Sequence, residues 1–453
     1  MIIDDLDAFV ATQKKRTKSF WRNLWTQFRG QYIESTKLSH SFNLIMHTIN
    51  TILVFLLFGG NQIGLWTAIL FCINPVTNEG AIWLSGRPYS IATTLVLSCV
   101  LLIEMFQPLA IPIFAVFYYL LFQFSINGFL LPLLYIVFQP HWLVLFLPLY
   151  ALLLKKNYIP TIKHRASTVT EEMRRIEVKK AILFFKTYAY YFFLTIFPFR
   201  VSMCHSYLHT YGLSEAETKP WYKLDRFFWA GVVLLSTLFF MAGAGAYYLI
   251  LGWLWFTLFI VQWCNIYVIN HPITERYAYL ASIGLMYFIT LIFIDTPIIW
   301  VFLAFYATRN FYVTPMYKDC KEFWKANSEN FPNVAMAYNQ YGLELSKRGR
   351  LGSAFDVWQD GLSHRPHDFR LNYNLANLLC GQKQLSVAKQ YILKAEENLD
   401  KNNNYAFWKG NIDKMKDFCS SNGIDMGVKQ EGVSDGTNLP GPPERGQEEG
   451  DKK

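Results

Sequence analysis

Apolar runs of membrane-helix character fill the first two thirds of the chain and then stop. They cover residues 41–58, 63–84, 90–106, 108–125, 128–138, 141–154, 227–246, 247–263, 277–294 and 297–308. A helix needs about 17–25 mostly apolar residues to cross a bilayer. Several runs are shorter, and Pro132, Pro140 and Pro148 interrupt two of them. Broken helices are tolerated where protein or a cavity re-satisfies the backbone, so the pattern predicts about ten crossings. Ahead of the runs, residues 1–40 are polar and amphipathic, with Phe20, Leu24, Trp25 and Phe28 on one helical face among basic residues. That pattern suits a helix lying in a membrane interface; packing against the membrane domain is the plainer reading of the same face. Residues 155–198 are mixed. Thr168 and Glu171 form a capping box, and a basic helix then runs into an aromatic-rich stretch that is either a span or, as preferred here, an interfacial helix.

After residue 308 the pattern changes to soluble helices with an internal repeat. Tyr341 and Gly342 correspond to Leu375 and Ala376, Leu345 to Leu379, Leu351 to Leu385, and Ala354 to Ala388, a period of 34. Period 34 with small residues at helix crossings is the tetratricopeptide pattern. Two repeats are fewer than usually stand alone, so segments 317–330 and 405–419 are expected to add helices. Residues 423–453, rich in Gly, Pro, Glu and Asp, read as disordered. The fold expected is all-α: a polytopic helical membrane domain (41–310) behind an acidic, amphipathic segment (1–40), then a tetratricopeptide-repeat α-solenoid (311–420) and a tail (421–453).

Composition sharpens this reading. The chain has 453 residues, 53% hydrophobic and only 17% charged, too apolar for a soluble protein of this length. Its mean hydropathy of +0.17 averages in a hydrophilic last third. The net charge of +9 gathers in 14–37 and 155–180, beside apolar runs, which points to lipid headgroups or a lipid phosphate. No nucleic-acid motif accompanies these clusters, so no nucleic-acid partner is expected. Seven cysteines without a C-x-x-C pair argue against a disulfide framework and a zinc site. Residues 1–9 hold three aspartates and no apolar core, so no cleavable signal peptide is expected there.

The chemistry concentrates in residues 74–88, NPVTNEGAIWLSGRP, a polar turn between two apolar runs that carries Glu79 and Arg87. Ionisable groups at such a depth are costly and mark a functional hypothesis; capping helix ends and anchoring the loop is the equal alternative. His40 and His47, seven apart on one helix face, have no third ligand spaced for a metal and read as packing residues.

With these pieces in order, the chain resembles the transmembrane and tetratricopeptide-repeat O-mannosyltransferases and their bacterial relatives, members of the GT-C class. The resemblance rests on IIDDLDAF, LSHSFNLIMHTINTILVFLL, NPVTNEGAIWLSGRP, FPFRVSMCHSY and ITERYAYLASIG, followed by the repeats. It implies a membrane enzyme that moves a sugar, mannose in the named family, from a polyprenyl-phosphate carrier to an acceptor, a protein hydroxyl, on the non-cytoplasmic face. It implies no redox cofactor and leaves a divalent metal undetermined. By position, the resemblance makes Asp5 the base with Asp4 assisting. Arg87 and Arg276 become phosphate clamps with Arg200 a weaker candidate, and Glu79 and Glu275 orient those arginines or the sugar. The partners implied are the bilayer, the lipid-linked sugar and an acceptor or partner protein on the repeats. The location implied is a bacterial inner membrane with periplasmic repeats, or the endoplasmic reticulum in a eukaryote. Two positions depart from the family pattern: only Met1, Ile2 and Ile3 precede the acidic motif where the family has a helix, and Asn74 stands where it has His. They leave open a non-catalytic, membrane-anchored repeat scaffold derived from such an enzyme. A polysaccharide ligase or polymerase is a third alternative.

Overall fold

The computed structural model describes residues 36–83, 86–106, 109–124, 180–200, 202, 205, 224–243, 245–264, 273–399 and 405–426. The acidic pair Asp4 and Asp5, the amphipathic segment around Trp25, the expected spans 128–138 and 141–154, the capping box at Thr168 and the acidic tail all lie outside these residues. The described residues are all-helical, with no strand. They fall into two compact units that divide between Asp319 and Cys320.

The first unit holds α1 (Thr36–Leu57), α2 (Gln62–Ile73), α3 (Asn78–Ile82), α4 (Arg87–Met105), α5 (Ala110–Phe124), α6 (Lys180–Ile196), α7 (Arg226–Gly243), α8 (Tyr247–Val261), α9 (Tyr279–Phe293) and α10 (Ile298–Val313). Among the described residues, three helical segments are long and apolar enough to cross a membrane: His40–Leu57, Arg87–Met105 and Glu275–Phe293. Four shorter apolar helices accompany them: Gln62–Ile73, Ala181–Ile196, Arg226–Leu238 and Tyr247–Val261.

Helix α1 shows why the environment must be apolar. Its buried face carries Asn43, His47 and Asn50, while Leu44, Ile45, Ile49, Ile52 and Leu56 are exposed. Water would reverse that arrangement; lipid favours it, because polar side chains find partners only inside the protein. His40 and His47 pack as expected. The His40 ring is 2.9 Å from the Ile82 carbonyl, and His47 bridges the Tyr279 hydroxyl at 2.6 Å and the Cys72 carbonyl at 3.1 Å.

Helix α2 is short because both ends are fixed. Asn61 caps its start by accepting from the N–H groups of Ile63 and Gly64, and Pro75 starts a 3-10 turn just beyond its end. Helix α9 is the core of the unit, buried from Tyr279 through Tyr287 and packed on α2, α4, α6, α8 and α10. Its approach to α8 is set by a glycine pair. A Cβ on Gly284 would stand 2.2 Å from the Gly252 carbonyl oxygen, and one on Gly252 would stand 2.8 Å from the Gly284 carbonyl oxygen. Such small-residue contacts bring helix backbones together where no hydrophobic force separates protein from solvent.

Helix α6 departs from the interfacial reading of 155–198. It is buried around nearly its whole circumference, with Phe193 its large exposed side chain. Aromatic content signals an interface helix and a core helix alike, and only packing on α7, α8 and α9 separates them. Its Lys186, almost wholly buried, reaches Asp225 at 2.8 Å, and Asp225 also caps α7 through the N–H groups of Phe227 and Phe228.

The second unit holds α11 (Cys320–Asn330), α12 (Ala335–Lys347), α13 (Leu351–His364), α14 (Phe369–Gly381), α15 (Leu385–Glu397) and α16 (Tyr405–Ser421). Helices α12 and α14 begin and end at matching positions of the 34-residue sequence period, and α13 and α15 begin at matching positions, α15 ending one residue short of the match. Even the turns match. Gly349 after α12 and Lys383 after α14 both take the left-handed conformation, at φ +76° and +60°. In each turn an N–H beyond the helix returns to a carbonyl in its last turn, Arg350 to Leu345 and Gln384 to Leu379, the helix-ending motif that glycine favours. Side chains at Gly342 and Gly361 would collide with Trp358 and Tyr338, so the smallness read from the repeat is a packing requirement. Segments 317–330 and 405–419 do contribute helices, α11 and α16.

Two substitutions test this packing. Gly284→Ala is expected to cost about 1–3 kcal/mol by forcing α8 and α9 apart, read as a lower unfolding temperature of the full chain in detergent. Lys383→Gly is expected to raise that temperature, since a left-handed non-glycine residue costs about 1 kcal/mol; no gain would mean that the turn at Lys383 is not the repeat of the turn at Gly349.

Candidate functional site

Residues 74–83, which follow α2, fold inward and are almost fully buried. Asn74 organises its start: its Oδ1 accepts from the Val76 N–H at 3.0 Å and its Nδ2 donates to the Thr195 carbonyl on α6 at 2.9 Å. Asn310 of α10 donates to the Ile73 carbonyl and accepts from Asn78 Nδ2 at 2.7 Å. Gly80 lets α3 lie against Tyr279, whose ring would be 2.5 Å from a Cβ at that position. These contacts aim Glu79 into the protein.

Glu79 meets Arg276, which stands in the 3-10 turn Glu275–Ala278 that leads into α9. The Arg276 guanidinium donates to Glu79 Oε1, and the Arg276 backbone N–H donates to Oε2 at 2.8 Å. Both side chains are over 90% buried. Burial pushes the Glu79 carboxyl above its ordinary range, and the guanidinium and backbone N–H of Arg276 pull the other way. The guanidinium also lies over the Trp83 ring at 4.8 Å and the Tyr277 ring at 5.2 Å, and Trp263 stacks on Tyr277 with centroids 3.9 Å apart.

Arg87 opens α4 and is itself buried. Its Nε donates to Asn43 Oδ1 at 2.9 Å, and its guanidinium covers the Phe42 ring at 4.8 Å. Asn43 Nδ2 donates in turn to the Trp83 carbonyl at 3.0 Å. Trp83 therefore links the two arginines, through its ring to Arg276 and through its carbonyl and Asn43 to Arg87. Arg87 thus stands at a helix N-terminus, the end at which the helix dipole favours an anion.

Glu275 points elsewhere. Its Oε1 accepts from the Ser202 N–H and lies 3.1 Å from His205 Nε2. His205 Nδ1 lies 2.8 Å from the Tyr190 hydroxyl. Burial lowers the His205 imidazole to about 3. A neutral ring with its proton on Nε2 satisfies both neighbours, donating to Glu275 and accepting from Tyr190. Among the described residues, three buried polar atoms here have no hydrogen-bond partner: Trp83 Nε1, Thr274 Oγ1 and Glu275 Oε2.

No protein-family model, curated protein or solved structure matches the chain.

Of the residues singled out from sequence, Glu79, Arg87, Arg276 and Glu275 lie buried in neighbouring parts of this one region. Glu79 orients Arg276, whereas Glu275 holds His205 and the 202 backbone rather than an arginine. Arg200 is exposed. Asp4 and Asp5 lie outside the described residues. No group of three or more metal-ligating side chains gathers among the described residues. Asn43, Trp83, His205 and Tyr279 stand within the stretches that carry the resemblance, yet sequence reasoning gave them no role. Asn43 and Asn50 were legible as polar positions spaced with His40 and His47 along α1; the contacts of the other three depend on the fold.

Removing one partner of a buried ion pair leaves an uncompensated charge and costs about 3–5 kcal/mol. Arg276→Gln is expected to destabilise the chain on that scale, and adding Glu79→Gln is expected to recover part of the loss in a double-mutant cycle. Additive losses would contradict a coupled pair. His205 gives a pH signature. Its folded pKa of about 3 lies below the ordinary imidazole value of 6.5, so the unfolded chain binds the extra proton between those values and stability falls as pH drops through that window. His205→Gln is expected to flatten the fall, measured as unfolding temperature against pH.

Proposed function

We propose that the chain is a polytopic membrane glycosyltransferase. It moves a sugar from a polyprenyl-phosphate carrier to an acceptor, a protein hydroxyl, on the non-cytoplasmic face. The second unit serves as a tetratricopeptide-repeat solenoid that recruits the acceptor. The observation that carries this reading is the pair of buried arginines joined through Trp83, one of them opening a membrane-length helix. An anionic phosphate headgroup with a greasy tail is the ligand that such an arrangement serves best. The aromatic wall of Trp83, Tyr277 and Trp263 suits stacking on a sugar face. The unpartnered atoms of Trp83, Thr274 and Glu275 supply donors and an acceptor for its hydroxyls.

In this reading Asp5, assisted by Asp4, takes the proton from the acceptor hydroxyl as its oxygen attacks the anomeric carbon. The carbon–oxygen bond to the phosphate breaks, and the phosphate leaves with the bonding electrons toward Arg87 and Arg276. The same resemblance places the protein in a bacterial inner membrane with periplasmic repeats, or in the endoplasmic reticulum of a eukaryote. A second reading, a non-catalytic membrane anchor whose repeats scaffold a complex, is favoured by the neutralisation of Arg276 by Glu79 within the fold.

The two readings part on the acidic pair. Asp5→Asn is expected to reduce transfer from a polyprenyl-phosphate sugar by about 10²–10⁴-fold with unfolding temperature unchanged; full transfer activity, or none in the wild type with any such donor, leaves the scaffold. Protease protection of 320–426 in sealed vesicles tests the sidedness, and repeats found in the cytoplasm would remove the enzyme reading.

A further inference from the structure

The seven cysteines carry no spacing that suggests pairing, yet the second unit brings two of them together. Cys380, in the last turn of α14, and Cys419, in the last turn of α16, have sulfurs 3.9 Å apart across 39 residues of sequence. Both are buried. A disulfide needs sulfurs about 2.0 Å apart, so closure takes a movement of about 2 Å shared between two side chains. We propose that Cys380 and Cys419 are a disulfide pair that locks α16 onto α14.

The surroundings show what the lock would hold. Helix α16 presents Ile412, Met415 and Cys419 to the core. Its Trp408 ring lies edge-on to Phe369 and Tyr373 of α14. Lys409 and Lys416 both reach Glu396 of α15. At its end, Ile424 N–H returns to the Cys419 carbonyl at 3.0 Å, through a left-handed Gly423. Helix α16 thus covers the exposed side of the last repeat pair, the position of a capping helix in a stacked array. A crosslink at its far end opposes fraying where a terminal helix is weakest.

The chemistry is thiol–disulfide exchange. One cysteine thiolate attacks an external disulfide, oxidised glutathione or a disulfide-carrying oxidoreductase, and releases one thiol. The second cysteine then attacks the protein sulfur of the mixed disulfide and releases the second thiol, so two protein protons end on the two leaving thiolates. Burial pushes the Cys380 thiol up to about 12, so exchange proceeds while α16 is undocked or transiently open. The geometry stands apart from catalysis. Its use in the cell rests on the extracytoplasmic placement proposed above, since disulfides persist in oxidising compartments.

The test uses the full chain in detergent, equilibrated with oxidised glutathione, denatured, blocked with a maleimide and digested without reductant. The expected result is a peptide pair joined through Cys380 and Cys419, whose reduction in the folded protein lowers the unfolding midpoint by about 5 °C or more. Cys419→Ser abolishes the linked peptide, and Cys72→Ser, at an exposed cysteine, leaves it. Should Cys419→Ser fail to fold, the linked peptide in the wild-type chain decides alone. Recovery of both cysteines as blocked thiols, or pairing of either with another cysteine, overturns the proposal. Membranes acid-quenched and blocked before extraction separate the two ideas. A pair linked in glutathione but reduced in the cell keeps the geometry and removes the extracytoplasmic placement.

Discussion

The ion pair between Glu79 and Arg276 is the constraint around which the first unit is arranged. Two opposite charges buried in an apolar protein are tolerable only with each other and with further donors, and the backbone N–H of Arg276 supplies one. That requirement fixes the loop after α2 against the 3-10 turn before α9, two segments almost 200 residues apart in sequence. Trp83 then lies under the Arg276 guanidinium, and Asn43 joins Trp83 to Arg87. One pair of charges thus positions both arginines and the aromatic wall beside them.

Around this centre the usual rule of burial is inverted. Helix α1 turns Asn43, His47 and Asn50 inward and Leu44, Ile45, Ile49, Ile52 and Leu56 outward. The inward groups find hydrogen-bond partners on α4, α9 and the loop. Asn50 donates to the Ser90 carbonyl and to Tyr279, and Thr94 donates back to Asn50. The same Tyr279 meets His47 and lies against Gly80. Core helix α9 therefore carries both a close backbone approach to α8, at Gly284, and the hydroxyl that gathers the polar stripe of α1. Stability and site geometry are not separable there.

The second unit works by repetition instead of charge. Matching helices, matching left-handed turns and matching small residues recur at the same offset. The differences between repeats are as informative. Trp358 fills the space above Gly342 in the first pair, and the corresponding positions of the second pair hold Ile392 and Ala376, both buried. The larger glycine counterpart, Ala376, goes with the smaller tryptophan counterpart, Ile392.

The sequence by itself determined the class of each unit. Apolar runs set the helices of the first, because hydropathy acts locally, and the period of 34 set the helix pairs of the second, because each repeat meets nearly the same neighbours. It also singled out Glu79 and Arg87, since ionisable groups among apolar residues are conspicuous in one dimension, whereas Arg276 entered only through the resemblance. The resemblance left Glu79 and Glu275 to orient the arginines or the sugar; only the fold puts Glu79 on Arg276 and Glu275 beside His205. The sequence could not separate a core helix from an interfacial one at α6, nor see that Cys380 and Cys419 meet. Those outcomes depend on which faces are brought together across long stretches of chain. Burial, and with it the strength of every charge and hydrogen bond, exists only once the helices have packed.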